Sequence, residues 1–168
     1  MEEVILVNEK DEPIGTMEKL EAHQKGALHR AFSVFLFNPK GELLLQRRAL
    51  HKYHSAGLWT NTCCSHPRPG EETSAAAHRR LKEEMGMEAD LRFMTSFQYR
   101  SEFENGLTEH EFDHVFIGST DAQPLPDAEE VYSFRWLSPE DIHKEIAACP
   151  AEYTTWFRIA MQNLFSTT

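Results

Sequence analysis

Thirteen residues, TNTCCSHPRPGEE from Thr60 to Glu72, gather two adjacent thiols, an imidazole and two carboxylates. A thiol near a histidine can serve as nucleophile or proton carrier, and thiolate with imidazole can hold zinc. Neighbouring cysteines rarely bridge each other, because a disulfide needs a wider backbone separation. Cys149 is the only other cysteine, so the count is odd. Reduced thiols in a cytosolic protein are expected, not a disulfide framework. No Cys-x-x-Cys pair is present, which argues against a small structural zinc protein.

Just downstream, Arg79-Arg80-Leu81-Lys82-Glu83-Glu84 sets each arginine four residues before a glutamate. On a helix such pairs lie on one face, and at the surface each is worth little. Glu71 and Glu72 precede the same helix on a loop. Carboxylates gathered on a loop–helix unit suit a hard cation such as Mg²⁺, above all one shared with phosphate oxygens. A net charge of −10 argues against nucleic acid as the main partner. A small phosphorylated substrate needs only a few cations, and Lys19, Arg47, Arg48, Lys52, Arg79 and Arg80 are available.

These groups need elements to hold them. VILVN near the start reads as a strand. Ala31 to Arg48 reads as a hairpin, two β-prone runs about Asn38-Pro39-Lys40-Gly41, followed by a polar loop that closes on Trp59. Ala77, Leu81 and Met85 recur every four residues, which predicts a helix from Thr73 to Met85, capped by Thr73 or Ser74 and stopped by Gly86. LRFMTSFQYRS and EHEFDHVFIGS read as strands about a turn at Glu104-Asn105-Gly106, and VYSFRWL as another. Glu109 and Glu111 share one strand face, which Asp113 continues, while Phe112 lies on the other. Ser138-Pro139 starts a helix, and Pro150 opens a last one through Phe165. Strands, helix, strands, helices give an α+β fold, an α/β/α sandwich with a mixed sheet.

The 168 residues, 40 % apolar and 26 % charged, fit one domain spanning 1–168 with a real core. MEEVILVNEK matches neither a signal nor a transit peptide, and no apolar run is long enough to span a bilayer. A cytoplasmic protein without a membrane partner is expected. Nothing in the sequence demands a second copy, so a monomer is compatible with it.

Glu71, Arg79, Glu83-Glu84 and Gly86-Met87 carry the spacing of the loop–helix signature of the Nudix superfamily, which the chain resembles. It departs from that signature twice: Ser65 stands where the family has Gly, and Arg80 where it has a metal-binding Glu. The second departure weakens a diphosphate-hydrolase reading. Cys64-Ser65-His66-Pro67 resembles type I isopentenyl-diphosphate isomerases, which share the Nudix fold. Thr16 to Lys19, His23, Leu28 to Ser33, Leu58 to Asn61, Tyr99-Arg100, Glu109 to Glu111 and Trp156 extend the likeness, in the family's order, over nearly the whole chain.

That resemblance implies isomerisation of isopentenyl diphosphate to dimethylallyl diphosphate through a carbocation-like centre. This chemistry needs an acid and a base on opposite sides of a flat hydrocarbon. The expected pair is Cys64 as base and Glu111 as donor, the reverse order remaining open, with Tyr99 bonded on the glutamate side and Trp156 facing the cation. Cys63 is expected to be structural. His23, His29, His66, Glu109 and Glu111 are expected to hold one divalent metal, Mn²⁺, Zn²⁺ or Mg²⁺. Glu84 is expected to serve a second ion, Mg²⁺, bridged to the diphosphate, which Lys19, Arg48, Lys52 and Arg80 would grip. His51, His54, His78, His110, His114 and His143 are expected to be ordinary surface or core histidines. The alternatives are a Nudix pyrophosphohydrolase of a nucleoside diphosphate derivative, and a non-catalytic metal-binding or nucleotide-sensing domain.

Overall fold

The strand His29–Phe37, β3, is the axis on which the reactive segments hang. In the computed structural model, which describes residues 2–52, 54–103 and 105–165, it is preceded by β1 (Glu3–Val7), β2 (Pro13–Glu18) and helix α1 (Lys19–Lys25). After it come β4 (Leu43–Arg48), β5 (Trp59–Thr60), β6 (Cys63–Ser65) and helix α2 (Thr73–Met85). The chain then runs through β7 (Leu91–Glu102), β8 (Thr108–Ser119), β9 (Val131–Leu137), helix α3 (Pro139–Ala148), a 3₁₀ turn (Pro150–Glu152) and helix α4 (Thr155–Leu164).

One edge of β3 pairs with β8 in parallel along its length, from His29 beside Glu111 to Phe37 beside Ser119. Its other edge is shared by three strands. β1 meets it at Leu6–His29, β6 at Phe32–Ser65 through Val34–Cys63, and β4 only at Phe37–Leu43. The expected hairpin is therefore paired only at its tip, because β6 is wedged between its arms. Thr62 shows how the wedge is held: its Oγ1 accepts from Leu36 N at 3.0 Å and donates to Leu44 O at 2.8 Å. Asn61 Nδ2 donates to Val34 O and Cys63 O. Side chains thus replace the ladder bonds that buried backbone groups require.

β3 alternates its side chains between two cores. Phe32, Val34 and Leu36 pack with Ala77, Leu81 and Met85 of α2, while Phe35 packs with Ile142 of α3 and Trp156, Phe157 and Met161 of α4. Most of these side chains are fully buried, each worth about 1.5–3 kcal/mol for the larger ones. The result is the expected α/β/α sandwich around a mixed sheet.

α2 spans Thr73–Met85 as the four-residue spacing predicts, but its N-cap is Glu72, without a side-chain cap bond. Gly86 closes it in the left-handed region, φ 63°, where a Cβ would stand 2.4 Å from Leu125 O. Ser138 caps α3 as expected, accepting from Asp141 N. The last helix does not begin at Pro150. Tyr153 is extended and forms a bridge beside Trp59, so a 3₁₀ turn and α4 stand as two pieces. β2, α1, β5 and β6 had no clear periodicity to announce them. Of the expected turn, Asn105-Gly106 is described, and Gly106 N bonds Phe103 O; Glu104 lies outside the described residues.

Candidate active site

The wedge strand β6 presents its two thiols to opposite faces. Cys63 is fully buried in the α2-side core, whereas Cys64 packs toward the α4-side core and lines a cavity. Neither is in a disulfide, nor is the exposed Cys149. Burial pushes the Cys64 thiol well above its ordinary pKa, with Arg48 opposing it and the carboxylates Glu84, Glu111 and Asp113 adding to it.

Across β3, β8 turns Glu109, Glu111 and Asp113 to the buried face, as the period-two pattern predicts. Cys64 and Glu111 therefore approach one cavity from strands flanking β3 on opposite edges, roughly 10 Å apart laterally at two strand spacings. Tyr99, opposite Glu111 in β7, donates to Glu111 Oε1 at 2.7 Å and also contacts Glu109 Oε1. A single phenolic proton cannot serve two carboxylates at once. Burial would raise the pKa of Glu111, but the His29 and His66 imidazoles against its Oε2 work the other way and lower it. Burial and the Glu111 charge push Glu109 the other way.

The imidazoles come from three elements. His23 rides α1, which Gly26 ends in the left-handed region; His29 opens β3; His66 follows β6. His29 Nδ1 lies 2.9 Å from Ala27 O, and a carbonyl only accepts, so Nδ1 carries the proton. In the neutral ring this aims the Nε2 lone pair at Glu111 Oε2, 3.2 Å away, acceptor against acceptor. His66 Nε2 meets the same oxygen at 2.8 Å. Donor atoms of His23, His29, His66 and Glu111 all lie within 4.8 Å of one another. An octahedral ion with bonds of about 2.1 Å holds its donors about 3.0–4.2 Å apart, so a divalent cation fits this donor set. Burial, then the neighbouring His66, pushes His23 down to about 3, which keeps it in the neutral, metal-ligating form. Glu109 belongs to a second, overlapping set with His23 and His54.

The same cavity is lined by Lys19, Arg48, Lys52 and Arg80, as expected of a group that grips an anion. Each is already engaged: Lys19 with Glu2 at 2.9 Å, Lys52 with Glu130, and Arg80 with Glu83, Glu84 and Glu130. Arg48 Nη2 donates to His54 O, and its guanidinium stands 5.3 Å from the Trp156 ring centroid. Glu84 is buried, bonded by Gln46 and Arg80, and lies outside both sets of potential metal donors among the described residues. Arg47 and Arg79 point elsewhere. Arg47 bonds Gly57 O beside the Tyr132 ring, and Arg79 forms a two-bond fork to Glu71 that ties the loop to α2.

Trp156 closes the cavity from α4. It is held there because Thr154 N bonds Trp59 O and Thr154 Oγ1 bonds Thr60 Oγ1, which fixes the start of α4 against β5. All four expected catalytic residues and all four expected anion-binding cations thus line one space, with His66, Glu109 and Glu84 beside them. His23 and His29 sit behind it, 1 % and 0 % exposed. Sequence reasoning passed over His54, Glu2 and Glu130, all of which line the same space. A lone histidine in a polar loop and acids outside the signature give no periodic signal by which to find them.

The NUDIX domain family model matches residues 27–157. The chain is 51 % identical over 162 residues to the isopentenyl-diphosphate Delta-isomerase of Pectobacterium atrosepticum, covering 96 % of this chain and 90 % of that one. It is 50 % identical to isopentenyl-diphosphate Delta-isomerase 2 of Photorhabdus laumondii, covering 98 % and 93 %. Among solved structures, DR0079 of Deinococcus radiodurans superposes with a TM-score of 0.79 at 25 % identity, covering 97 % of this chain and 99 % of that one. A MutT protein of Methanosarcina mazei shares the fold alone, with a TM-score of 0.66 at 22 % identity over 80 % of this chain and 91 % of that one. The chain therefore belongs to the Nudix superfamily and, within it, to the isopentenyl-diphosphate Delta-isomerase family.

Proposed function

We propose that this chain isomerises isopentenyl diphosphate to dimethylallyl diphosphate, with Cys64 and Glu111 moving the two protons. The observation that carries the reading is that these groups enter one cavity from strands on opposite edges of β3. A proton is added to the terminal alkene carbon, the π electrons form the new C–H bond, and positive charge develops at carbon three. Loss of a proton from carbon two returns an electron pair as the new double bond. Burial raises the pKa of the Cys64 thiol, while the His29 and His66 imidazoles lower that of Glu111. The donor in one direction is the acceptor in the other, so both groups are needed whichever holds the proton first.

Trp156 offers its ring face to the developing cation, and that face already takes the Arg48 guanidinium. Water must be kept from that centre, and buried Trp156 and Tyr99 supply the aromatic part of the cavity wall. His23, His29, His66, Glu109 and Glu111 would hold a divalent ion, which would supply a fixed positive charge beside Glu111. Lys19, Arg48, Lys52 and Arg80 bind the diphosphate, and Glu84 is placed for Mg²⁺ arriving with it.

Hydrolysis is disfavoured where Arg80 bonds Glu83, Glu84 and Glu130, a cation set among the carboxylates of the signature helix. We place the chain in the cytoplasm as a single domain, with which a monomer is compatible. Its three free thiols support a reducing compartment, and none of the described helices is long and apolar enough to cross a membrane.

A proton NMR time course with isopentenyl diphosphate and Mg²⁺ in D₂O tests the assignment. Wild type is expected to form deuterated dimethylallyl diphosphate, and Cys64→Ala and Glu111→Gln to lose about 10²–10⁴-fold in rate. An unchanged alkene with wild type would sink the reading.

A further inference from the structure

His54 approaches the buried imidazole cluster from the loop between β4 and β5. Its ring centroid lies 5.5 Å from that of His23, between the 5.3 Å of His29 and the 6.0 Å of His66. Its Nε2 stands 3.4 Å from Glu109 Oε2, and the side chain is 7 % exposed. That separation exceeds an ordinary N–H···O bond and is close to the about 3.0 Å between adjacent ligands on one octahedral ion. Glu109 Oε1 lies against Tyr99, and Oε2 is the atom facing the imidazoles, at 3.4 Å from His54 and 4.0 Å from His23.

We infer that His54 is a fourth imidazole ligand of the buried divalent ion, so that this chain offers six protein donors where five were expected. The inference rests on reading the cluster as a metal site and deepens it. Glu109 and His54 stand in the same relation to the remaining donors, since both join them through His23. The grounds that make Glu109 a ligand therefore apply to His54.

Its surroundings fit a ligand. Nδ1 lies 3.3 Å from Ser55 Oγ, which can take the Nδ1 proton and leave Nε2 as the lone pair. The Phe103 ring stacks on the imidazole at 5.0 Å and 10°, and the Trp156 ring meets it edge-on at 6.1 Å, so the ring plane is held from two sides. A six-donor protein shell, in which His54 joins the other donors through His23, would leave an octahedral ion little room for bound water.

The test needs no substrate. Metal-free wild type, His54→Gln and Phe103→Leu are loaded with Mn²⁺. Coupled imidazole nitrogens are counted by pulsed electron paramagnetic resonance, and the Mn²⁺ dissociation constant is measured by chelator competition. Four nitrogens in wild type and three in His54→Gln are expected, with affinity about 10–100-fold weaker in that variant and weakened less in Phe103→Leu. Three nitrogens in wild type overturn the inference, and that count decides even if His54→Gln fails to fold. A weaker affinity with an unchanged count also overturns it, leaving His54 to act through Glu109. Wild type that binds no Mn²⁺ would instead sink the metal site itself, a separate failure from that of His54.

Discussion

At the scale of single residues, the anion-gripping end is preloaded with carboxylates. Glu130 neutralises Lys52 and Arg80, and Glu2 neutralises Lys19, so an arriving diphosphate competes with groups of its own sign. The Lys52 and Glu130 side chains are 24 % and 27 % exposed, which keeps each such pair near about 1 kcal/mol or less. Glu130→Gln is therefore expected to lower KM for the diphosphate by up to about 5-fold with kcat little changed, as read by steady-state kinetics. Glu109 and Glu111, two residues apart on one strand face, differ in the same concrete way. The imidazoles on Glu111 lower its pKa, whereas burial beside that charge raises the pKa of Glu109.

At the scale of elements, the wedge strand decides whether Cys64 is reactive or merely buried. Thr62 replaces two ladder bonds between β3 and β4, and Gln46 Nε2 adds a third bond to Thr62 O. Thr62→Val keeps the shape but strands Leu36 N and Leu44 O in a dry interior. A loss of about 2–6 kcal/mol in folding stability is expected at about 1–3 kcal/mol per orphaned group, measured by urea denaturation. Because the same residue sets the register of Cys64 beside Ser33, kcat should fall as well, even below the melting transition. A stability loss without any change in kcat would mean that β6 finds its register without Thr62.

At the scale of the whole molecule, an acidic chain of net charge −10 depends on carboxylates held ionised by cations. Hydrogen bonds from Arg79 lower the pKa of Glu71. For Glu130, burial works to raise it, but Lys52 and Arg80 prevail and lower it. Both groups keep their charge to lower pH in the folded state than in the unfolded chain. The unfolded state therefore takes up protons first as pH falls below about 4.5, and stability declines from there downward through the folded-state values. Thermal unfolding followed from pH 6 to pH 3 should show that decline. It should be smaller in Arg79→Gln, which has already lost the Glu71 contribution at every pH.

The sequence by itself determined the elements with a strong local period and the pattern of reactive types. Ala77, Leu81 and Met85 marked α2 to the residue, Gly86 its end, and the alternation through Glu109, Glu111 and Asp113 the buried face of β8. The ordered match from Thr16 to Trp156 carried the family along with the fold and named the residues of the proposed site. Tertiary structure decided what depends on contacts distant in the chain. A hairpin pattern cannot reveal that β6 will part its arms, because the bonds that part them come from side chains of Asn61 and Thr62, with no periodicity of their own. Pro150 reads as a helix start until Tyr153 is drawn out beside Trp59. His54 and Glu130 gain meaning only where the β4–β5 loop and the approach to β9 meet the cavity. Local periodicity reports which face of an element is buried; which chemical groups meet on that face is set by strand pairing, a long-range property.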